Sequence, residues 1–571
     1  MKKIWISRVI IPSAIMAILL LAPIVESLFS LGNETIFNFL ASDSMYYMGI
    51  ANNYLKYGIP TFDGTAPING FHPLWEIVLI LIFKVFSVSH HNQVYATFAL
   101  SVLFVCIAYV LMSSVFIKVL GTWTGIVATA VFFLGAYSVF FEPRRHFFSD
   151  PGLLYTFSPY SAINGMETPL SMALWAAFFA SLISRYHAQT EGQKTKLDIQ
   201  SVFPFSSRLL LPLIVLCRLD DVFLVAAITF FILLQKRFSL RDKANSLVKI
   251  FWITAIPVTL YVAYNYFTVG TLLPVSGTTK LSFSNIYAST LHLNLRAVLF
   301  PLPDNGWWWI YACRIYPLLF SFLVGIICII SGWKYKEIKT DEPSLRRYSF
   351  LFGWFVLFKS IFLLAFVPLL NQGYWYDFEI IAICNTIFAF AIGFFVKANH
   401  KATQIVLAVC LSIIIFRIPN EISFMKSSGT YSETEYSLWK NSDVIRTYLL
   451  GRDPKIKIID NLDGAFVYLL DLPGDSITGL ASSPDELRRR QKIGAWNSLV
   501  SRGVSVLPDH GYYDPKHLPP AGDNVRVAEE FHPPSSPVSF YRLELVDPAM
   551  PPTGKAVSLN ASTRVTALAS H

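Results

Sequence analysis

Long apolar runs recur along the first 420 residues and predict an α-helical protein that crosses a membrane many times. A helix of about 20 apolar residues spans the hydrocarbon layer of a bilayer. The first run, 9–30, follows the basic start MKKIWISR without a clear cleavage site, so we predict a retained helix whose N-terminus lies inside. The further predicted spans are 93–118, 122–141, 169–184, 205–217, 221–235, 248–267, 311–332, 347–368, 378–396 and 402–418.

The apolar run at 73–88 differs from these spans because it is short and carries Glu76 and Lys84. We predict that it forms a helix lying on the membrane surface. Every predicted inside loop then carries Lys or Arg residues, as the positive-inside rule requires. The result is about eleven transmembrane helices with the N-terminus inside and the C-terminal part outside.

Beyond residue 420 the chain becomes polar and rich in proline, and it changes to short β-like runs. These runs lie at 455–459, 476–480, 504–508, 525–531 and 539–545, with one helical stretch at 484–503 that ends at Gly503. We therefore predict a transmembrane domain over 1–420, a small extracytoplasmic α/β domain over 421–547 and a disordered tail over 548–571.

Composition supports a membrane protein and excludes several other classes. Hydrophobic residues make up 54% of the 571 residues, charged residues only 15%, and the mean hydropathy is +0.49. The net charge of +9 comes from basic clusters in loops and not from a basic stripe, which argues against nucleic-acid binding. The six cysteines lie in or beside apolar runs, so neither a disulfide framework nor a zinc site is predicted.

Candidate chemistry is concentrated in five predicted outer segments, 41–75, 142–170, 217–221, 265–280 and 371–379, which hold acidic, basic and aromatic residues. Ionisable groups at a membrane face are costly, so they indicate function by default. A single such residue is more simply a helix cap or a solvated side chain, but five segments on one side favour a site. Aromatic residues such as Tyr46 and Tyr376 suit sugar faces, and equally suit an interfacial belt.

Several of these segments resemble one class of membrane enzyme. They are Asp43-Ser44 after the first helix, Asn69 to Trp75 (NGFHPLW), Asn164 to Thr168 (NGMET), Arg218-Leu219-Asp220, and the stretch that ends at Lys280. Over about residues 1–280 the chain resembles the bacterial GT-C glycosyltransferases, and beyond that by topology only. Many such families pair two adjacent acids after the first helix, whereas Ser44 follows Asp43 here, so a divalent cation is possible but not implied.

The resemblance implies transfer of a sugar from a polyprenyl-phosphate carrier to a hydroxyl of a glycan, lipid or protein, outside the cell's inner membrane. Asp43 would be the general base, with Glu167 as a second catalytic residue, and Glu167 and His72 can position the acceptor or a cation. Cations would receive the departing phosphate. The predicted substrate-binding residues are His72, Arg144, Arg145, Arg218, Asp220, Lys280, Tyr46 and Tyr376. Asp220 or Asp221 can instead lock Arg218 in place, and both readings stay open.

Other functions compete with this one. A transporter or flippase of lipid-linked saccharides also needs many helices and aromatic outer loops, although transporters usually show internal repeats and none is visible here. Transfer of a non-sugar group such as phosphoethanolamine would call for a larger soluble domain with a metal site. A structural role for the C-terminal part is a third possibility. Without a Gly-x-Gly-x-x-Gly or Walker-type motif, a nucleotide-sugar donor is disfavoured.

Overall fold

The computed structural model describes residues 11–133, 162–190, 202–236, 238–276, 308–333, 345–366, 378–397, 401–410, 412, 430–460, 464–477, 483–509 and 525–545. Helices account for most of the described residues up to position 410. In chain order they are α1 Ile11–Leu31, α2 Glu34–Phe39, α3 Ser42–Tyr57, α4 Pro73–Val85, α5 Gln93–Leu120, α6 Thr122–Phe133, α7 Thr168–Thr190, α8 Phe205–Cys217, α9 Val222–Leu233, α10 Leu240–Val269, α11 Trp308–Trp333, α12 Leu345–Phe366, α13 Phe378–Lys397 and α14 Lys401–Cys410.

Within the described ranges, four helices are long and apolar enough to cross a membrane. They are His90–Leu120, Leu240–Val269, Arg347–Ala365 and Glu379–Lys397. Shorter apolar helices accompany them at Thr122–Phe133, Thr168–Ser184, Phe205–Cys217, Leu318–Trp333 and Lys401–Cys410. The chain is therefore a mostly helical, multi-pass membrane protein. The total of about eleven spans stays a prediction, because 122–141 and 402–418 extend beyond the described residues.

Helix α3 and the first residues of α4 fall within the first predicted outer segment, 41–75, and α2 lies just before it. Helix α3 ends at Gly58, whose φ of +74° lets its N–H bond the Tyr54 carbonyl in a left-handed cap. Pro73 occupies the first turn of α4, where its missing N–H costs nothing. With 13 residues, α4 is about 20 Å long. This is shorter than the roughly 20 residues that span a bilayer, and its lie on the membrane surface stays a prediction.

The C-terminal part contains one five-stranded sheet with helices around it. Its elements are α15 Thr430–Lys440, α16 Ser442–Arg452, β1 Ile458–Asp460, α17 Ala465–Leu469, β2 Gly474–Ser476, α18 Pro484–Ile493, α19 Ala495–Ser501, β3 Val506–Pro508, β4 Val525–Phe531 and β5 Phe540–Leu545. The strand order is β2-β1-β3-β5-β4, parallel from β2 to β3 and antiparallel from β3 to β4.

Most predicted elements of this part are found, and two are corrected. Strand β4 coincides with the predicted run 525–531, whereas β2 lies earlier than the predicted 476–480. Gly474 permits this early pairing, since a Cβ there would lie 2.3 Å from the Ile458 carbonyl oxygen. The predicted single helix over 484–503 is two helices, because Gly494 adopts a φ of +87° and ends the first one.

The sheet has two apolar faces. Successive strand residues point to opposite faces, so Ile458 and Phe540 face one way while Ile459 and Tyr541 face the other. The first face belongs to the same buried core as α3 and the membrane helices. The second face packs on α19 in a smaller core. The predicted boundary at 420/421 lies outside the described residues.

Candidate functional site

A buried group of charged side chains lies where α7, α8, α12 and α13 meet. Four carboxylates and two cations from the described residues belong to it. We call it the ionic cluster, and its members are Glu167, Arg218, Asp220, Asp221, Lys359 and Glu379. Charges are rarely buried unless they pair, because removing each from water is expensive. The cluster therefore indicates a constrained part of the molecule.

Arg218 occupies the centre of the ionic cluster. It follows the last residue of α8 with an extended backbone (φ −142°, ψ 113°), after which a 3-10 turn over Leu219–Asp221 leads into α9. Its side chain is 1% exposed. The guanidinium Nη1 lies 3.2 Å from Glu167 Oε1, and Nε lies 3.1 Å from Glu379 Oε1 and 3.4 Å from Asp220 Oδ1. Arg218 thus contacts Asp220, one of the two acids considered as its structural partner, and it contacts Glu167 and Glu379 as well.

Lys359 is the second cation of the cluster and comes from the middle of α12. Its Nζ lies 3.0 Å from Asp220 Oδ2 and 3.4 Å from Glu379 Oε2, and it also donates a hydrogen bond to Asp221. Neutral donors also contact the cluster: the Trp175 indole donates to Asp221 Oδ2 (3.0 Å), and the Ser171 hydroxyl to Glu379 Oε1 (3.0 Å). These contacts distribute the excess negative charge over several donors.

Neither Lys359 nor Glu379 was predicted as a site residue. Glu379 lies in the predicted outer segment 371–379 without a motif to distinguish it. The sequence does distinguish Lys359, because it is the one charged residue in the apolar stretch LFGWFVLFKSIFLLAF. An ionisable residue inside a membrane helix normally has a partner and a function.

The first outer segment reaches the ionic cluster through Glu167. The Tyr47 hydroxyl donates a hydrogen bond to Glu167 Oε2 (3.0 Å), and His72 Nε2 lies 3.6 Å from Glu167 Oε1. Gly165 permits this close approach, since with a φ of +72° a Cβ there would lie 2.8 Å from the Ser44 Cβ. The predicted residues Glu167, His72, Arg218 and Asp220 are thereby brought together.

Asp43 lies on the same helix face as Tyr47, one turn closer to the N-terminus of α3. Its side chain is only half-buried, in contrast to the cluster carboxylates. Burial raises the pKa of the Tyr47 hydroxyl, and the charges of Glu167, Asp43 and Glu76 raise it further. Asp43 is therefore a partly exposed acid next to the buried contact between Tyr47 and Glu167.

Glu76 is a further acid that sequence reasoning did not assign to the site. It lies in the first turn of α4, is 2% exposed, and burial raises its pKa well above the ordinary value. Its charge influences Tyr47, which places it near the same hydroxyl.

The other predicted site residues are not brought to the ionic cluster by the described part of the structure. The Tyr46 ring is 7% exposed and stacks on Phe62 at 5.1 Å, so it lies in the core. Arg144, Arg145, Lys280 and Tyr376 lie outside the described residues. Among the described residues no group of three or more His, Cys, Asp or Glu side chains could hold a metal ion.

Comparison with known proteins adds a distant likeness in structure. No family model matches the chain, and no curated protein matches it. The crystal structure of ArnT from Cupriavidus metallidurans in the apo state has 11% identity and a TM-score of 0.37, over 85% of this chain and 92% of that one. Its structure bound to undecaprenyl phosphate has 10% identity and a TM-score of 0.37, over 93% and 99%. Similarity at this level identifies no family, so function must be inferred from this chain's own residues.

Proposed function

We propose that the protein is a glycosyltransferase that moves a sugar from a polyprenyl-phosphate carrier to an acceptor hydroxyl on the extracytoplasmic side. One observation carries this proposal: Asp43, a partly exposed carboxylate, lies beside a buried network of charges at the junction of apolar helices and a polar segment. A lipid-borne donor needs such a junction, because its prenyl chain lies in the bilayer and its sugar in water.

In the proposed reaction Asp43 is the general base. It takes the proton from the acceptor hydroxyl while the acceptor oxygen bonds to the anomeric carbon of the sugar. The bond between that carbon and the phosphate oxygen breaks, and polyprenyl phosphate leaves with an additional negative charge. Positive groups near the phosphate stabilise this charge, and Arg144, Arg145 and Lys280 stay the predicted candidates.

Arg218 and Glu167 would support the site from behind. Because Arg218 already faces Glu167, Glu379 and Asp220, it holds these acids in place and offsets part of their negative charge. Glu167 accepts the hydrogen bond from Tyr47 and so orients α3, the helix that carries Asp43. A direct contact of Arg218, Asp220 or His72 with the substrate stays a prediction.

One observation favours a second candidate, a transporter of lipid-linked saccharides. Lys359 lies within an apolar helix and is paired with acids of two other segments. Charged networks inside the membrane are typical of transport pathways. The two functions differ in chemistry, because only the enzyme breaks the bond between the sugar and the phosphate.

The test is donor consumption by the purified protein in lipid nanodiscs. The donors are radiolabelled undecaprenyl-phosphate hexoses, pentoses and amino sugars, offered with an extract of envelope lipids and glycans as acceptor. Nucleotide sugars are the negative control. We expect one lipid-linked donor to be consumed and its label to appear in an acceptor. Movement of intact donor between leaflets of proteoliposomes, without cleavage of any donor, would replace the enzyme with the transporter.

A further inference from the structure

The C-terminal part contacts α3 along its whole length. At the N-terminal end, the Ser42 hydroxyl donates a hydrogen bond to Glu435 Oε1 (2.7 Å). At the C-terminal end, Lys56 pairs with Asp471, which also pairs with Arg446 at 3.3 Å. Helix α3 is thereby held at one end by α15 and at the other by the segment that follows α17, which α16 supports through Arg446.

Between these ends, the backbone of the C-terminal part lies directly against α3. Gly464 has a φ of +101°, and a Cβ there would lie 3.0 Å from both the N and the Cα of Tyr46. One turn along α3, a Cβ on Gly49 would lie 3.8 Å from the Cβ of Tyr468. The Tyr468 hydroxyl also donates to Gln93 at 3.3 Å, so the same segment reaches the start of α5.

The segment at Gly464 is itself fixed by Asp460 at the end of β1. One carboxylate oxygen of Asp460 accepts a hydrogen bond from the Gly464 N–H (3.0 Å), and the other accepts one from the Val467 N–H (2.9 Å). Asp460 is fully buried. The position of α3 is thus connected through short, buried contacts to the sheet.

Glu435 is the residue of the C-terminal part that bonds nearest to the proposed base. Its hydrogen-bond partner, Ser42, directly precedes Asp43 in the chain. It is 2% exposed. Its helix, α15, packs on α2 as well, where Phe37 contacts Tyr436 and Trp439 with ring centroids 5.9 and 5.7 Å apart. Glu435 therefore has little freedom to move, and its hydrogen bond fixes the first turn of α3.

Resting on the proposed function, we propose that the C-terminal part positions α3 for catalysis and that Glu435 is a positioning residue for Asp43. It acts through Ser42 and does not touch the substrate. The C-terminal part would then support the helix that carries the base, which is a different role from recognition of an acceptor.

The charge state of Glu435 suggests how to test this role. Burial raises its pKa to about 8, the hydrogen bond from Ser42 opposes this shift, and the charge of Asp460 adds to it. The carboxyl is then mostly neutral at pH 7, where a glutamine can replace it as the acceptor for Ser42. Alanine cannot, and it leaves the partly buried Ser42 hydroxyl without this partner.

The experiment compares Glu435→Ala and Glu435→Gln in the full-length protein in nanodiscs. Hydrogen–deuterium exchange at the amides of residues 43–50 is measured by mass spectrometry, together with kcat and KM for whichever lipid donor the wild type consumes. We expect the alanine variant to raise exchange in this stretch and to lower kcat, each about tenfold, with KM changed less than about twofold. The glutamine variant should retain wild-type exchange and kcat within about twofold.

Glu544→Gln is the matched control. Glu544 is also a carboxylate of the C-terminal part, but it lies on β5 and forms an exposed pair with Arg526 of the edge strand β4. It should change neither measurement. If Glu435→Ala does not fold, Ser42→Ala removes the same hydrogen bond from the other side and takes its place. Unchanged exchange at 43–50 in the alanine variants would overturn the proposal, even with reduced turnover. If no donor is consumed at all, the proposed function fails, while the exchange result still decides whether Glu435 holds α3.

Discussion

Replacing Asp43 with Asn is expected to lower sugar transfer by about 10²–10⁴-fold, the usual contribution of a general base. Asn has the size of Asp but cannot accept the proton of the acceptor hydroxyl. The loss should appear in kcat, measured with the lipid-linked donor in nanodiscs. Because Asp43 is only half-buried, its replacement should cost the fold about 0.3–1 kcal/mol, from its position near a helix N-terminus.

The chain offers a closely matched control for this substitution. Asp443 follows Ser442 at the start of α16, just as Asp43 follows Ser42 at the start of α3, but Asp443 is exposed and distant in sequence from the site. Asp443→Asn should leave kcat unchanged. Equal activity of Asp43→Asn and wild type would remove Asp43 as the base, and with it the central step of the proposed mechanism.

Lys359→Met is expected to reduce the free energy of unfolding by about 3–5 kcal/mol, the range found when one partner of a buried ion pair is removed. Met has a similar length and can fill most of the space, so the loss comes from charge and not from a cavity. Asp220, Asp221 and Glu379 would lose their shared cation while Arg218 stays. Unfolding is followed by heat or denaturant in a fixed detergent.

Two further variants show whether the effect is electrostatic. Lys397→Met changes an exposed lysine at the end of α13, and it should alter stability by less than about 0.5 kcal/mol. The double variant Lys359→Met with Asp221→Asn removes one charge of each sign and should recover part of the loss. A double variant as unstable as the sum of both single variants would show that Lys359 and Asp221 do not act as a pair.

Several site residues could be predicted because they lie in short motifs at the ends of helices. Glu167, His72 and Arg218 are examples. In the structure His72 Nε2 lies 3.6 Å and Arg218 Nη1 3.2 Å from Glu167 Oε1. Glu379 and Glu435 could not be predicted in this way. Glu379 joins the ionic cluster only because α13 packs near α7, and Glu435 reaches Ser42 only because α15 packs on α2 beside the start of α3. No sequence period specifies which helices are neighbours.

The sequence by itself determined the type and extent of most elements, because the length of an apolar run and its end signals are local properties. Pro73 at the start of α4, Gly58 after α3 and the alternating run of β4 are instances. Only the tertiary structure decided that Lys359 pairs with three acids, that Gly494 divides one helical stretch into two, and that the C-terminal sheet shares a core with α3. These outcomes depend on contacts between residues distant in the chain, or on a backbone angle that only such packing selects.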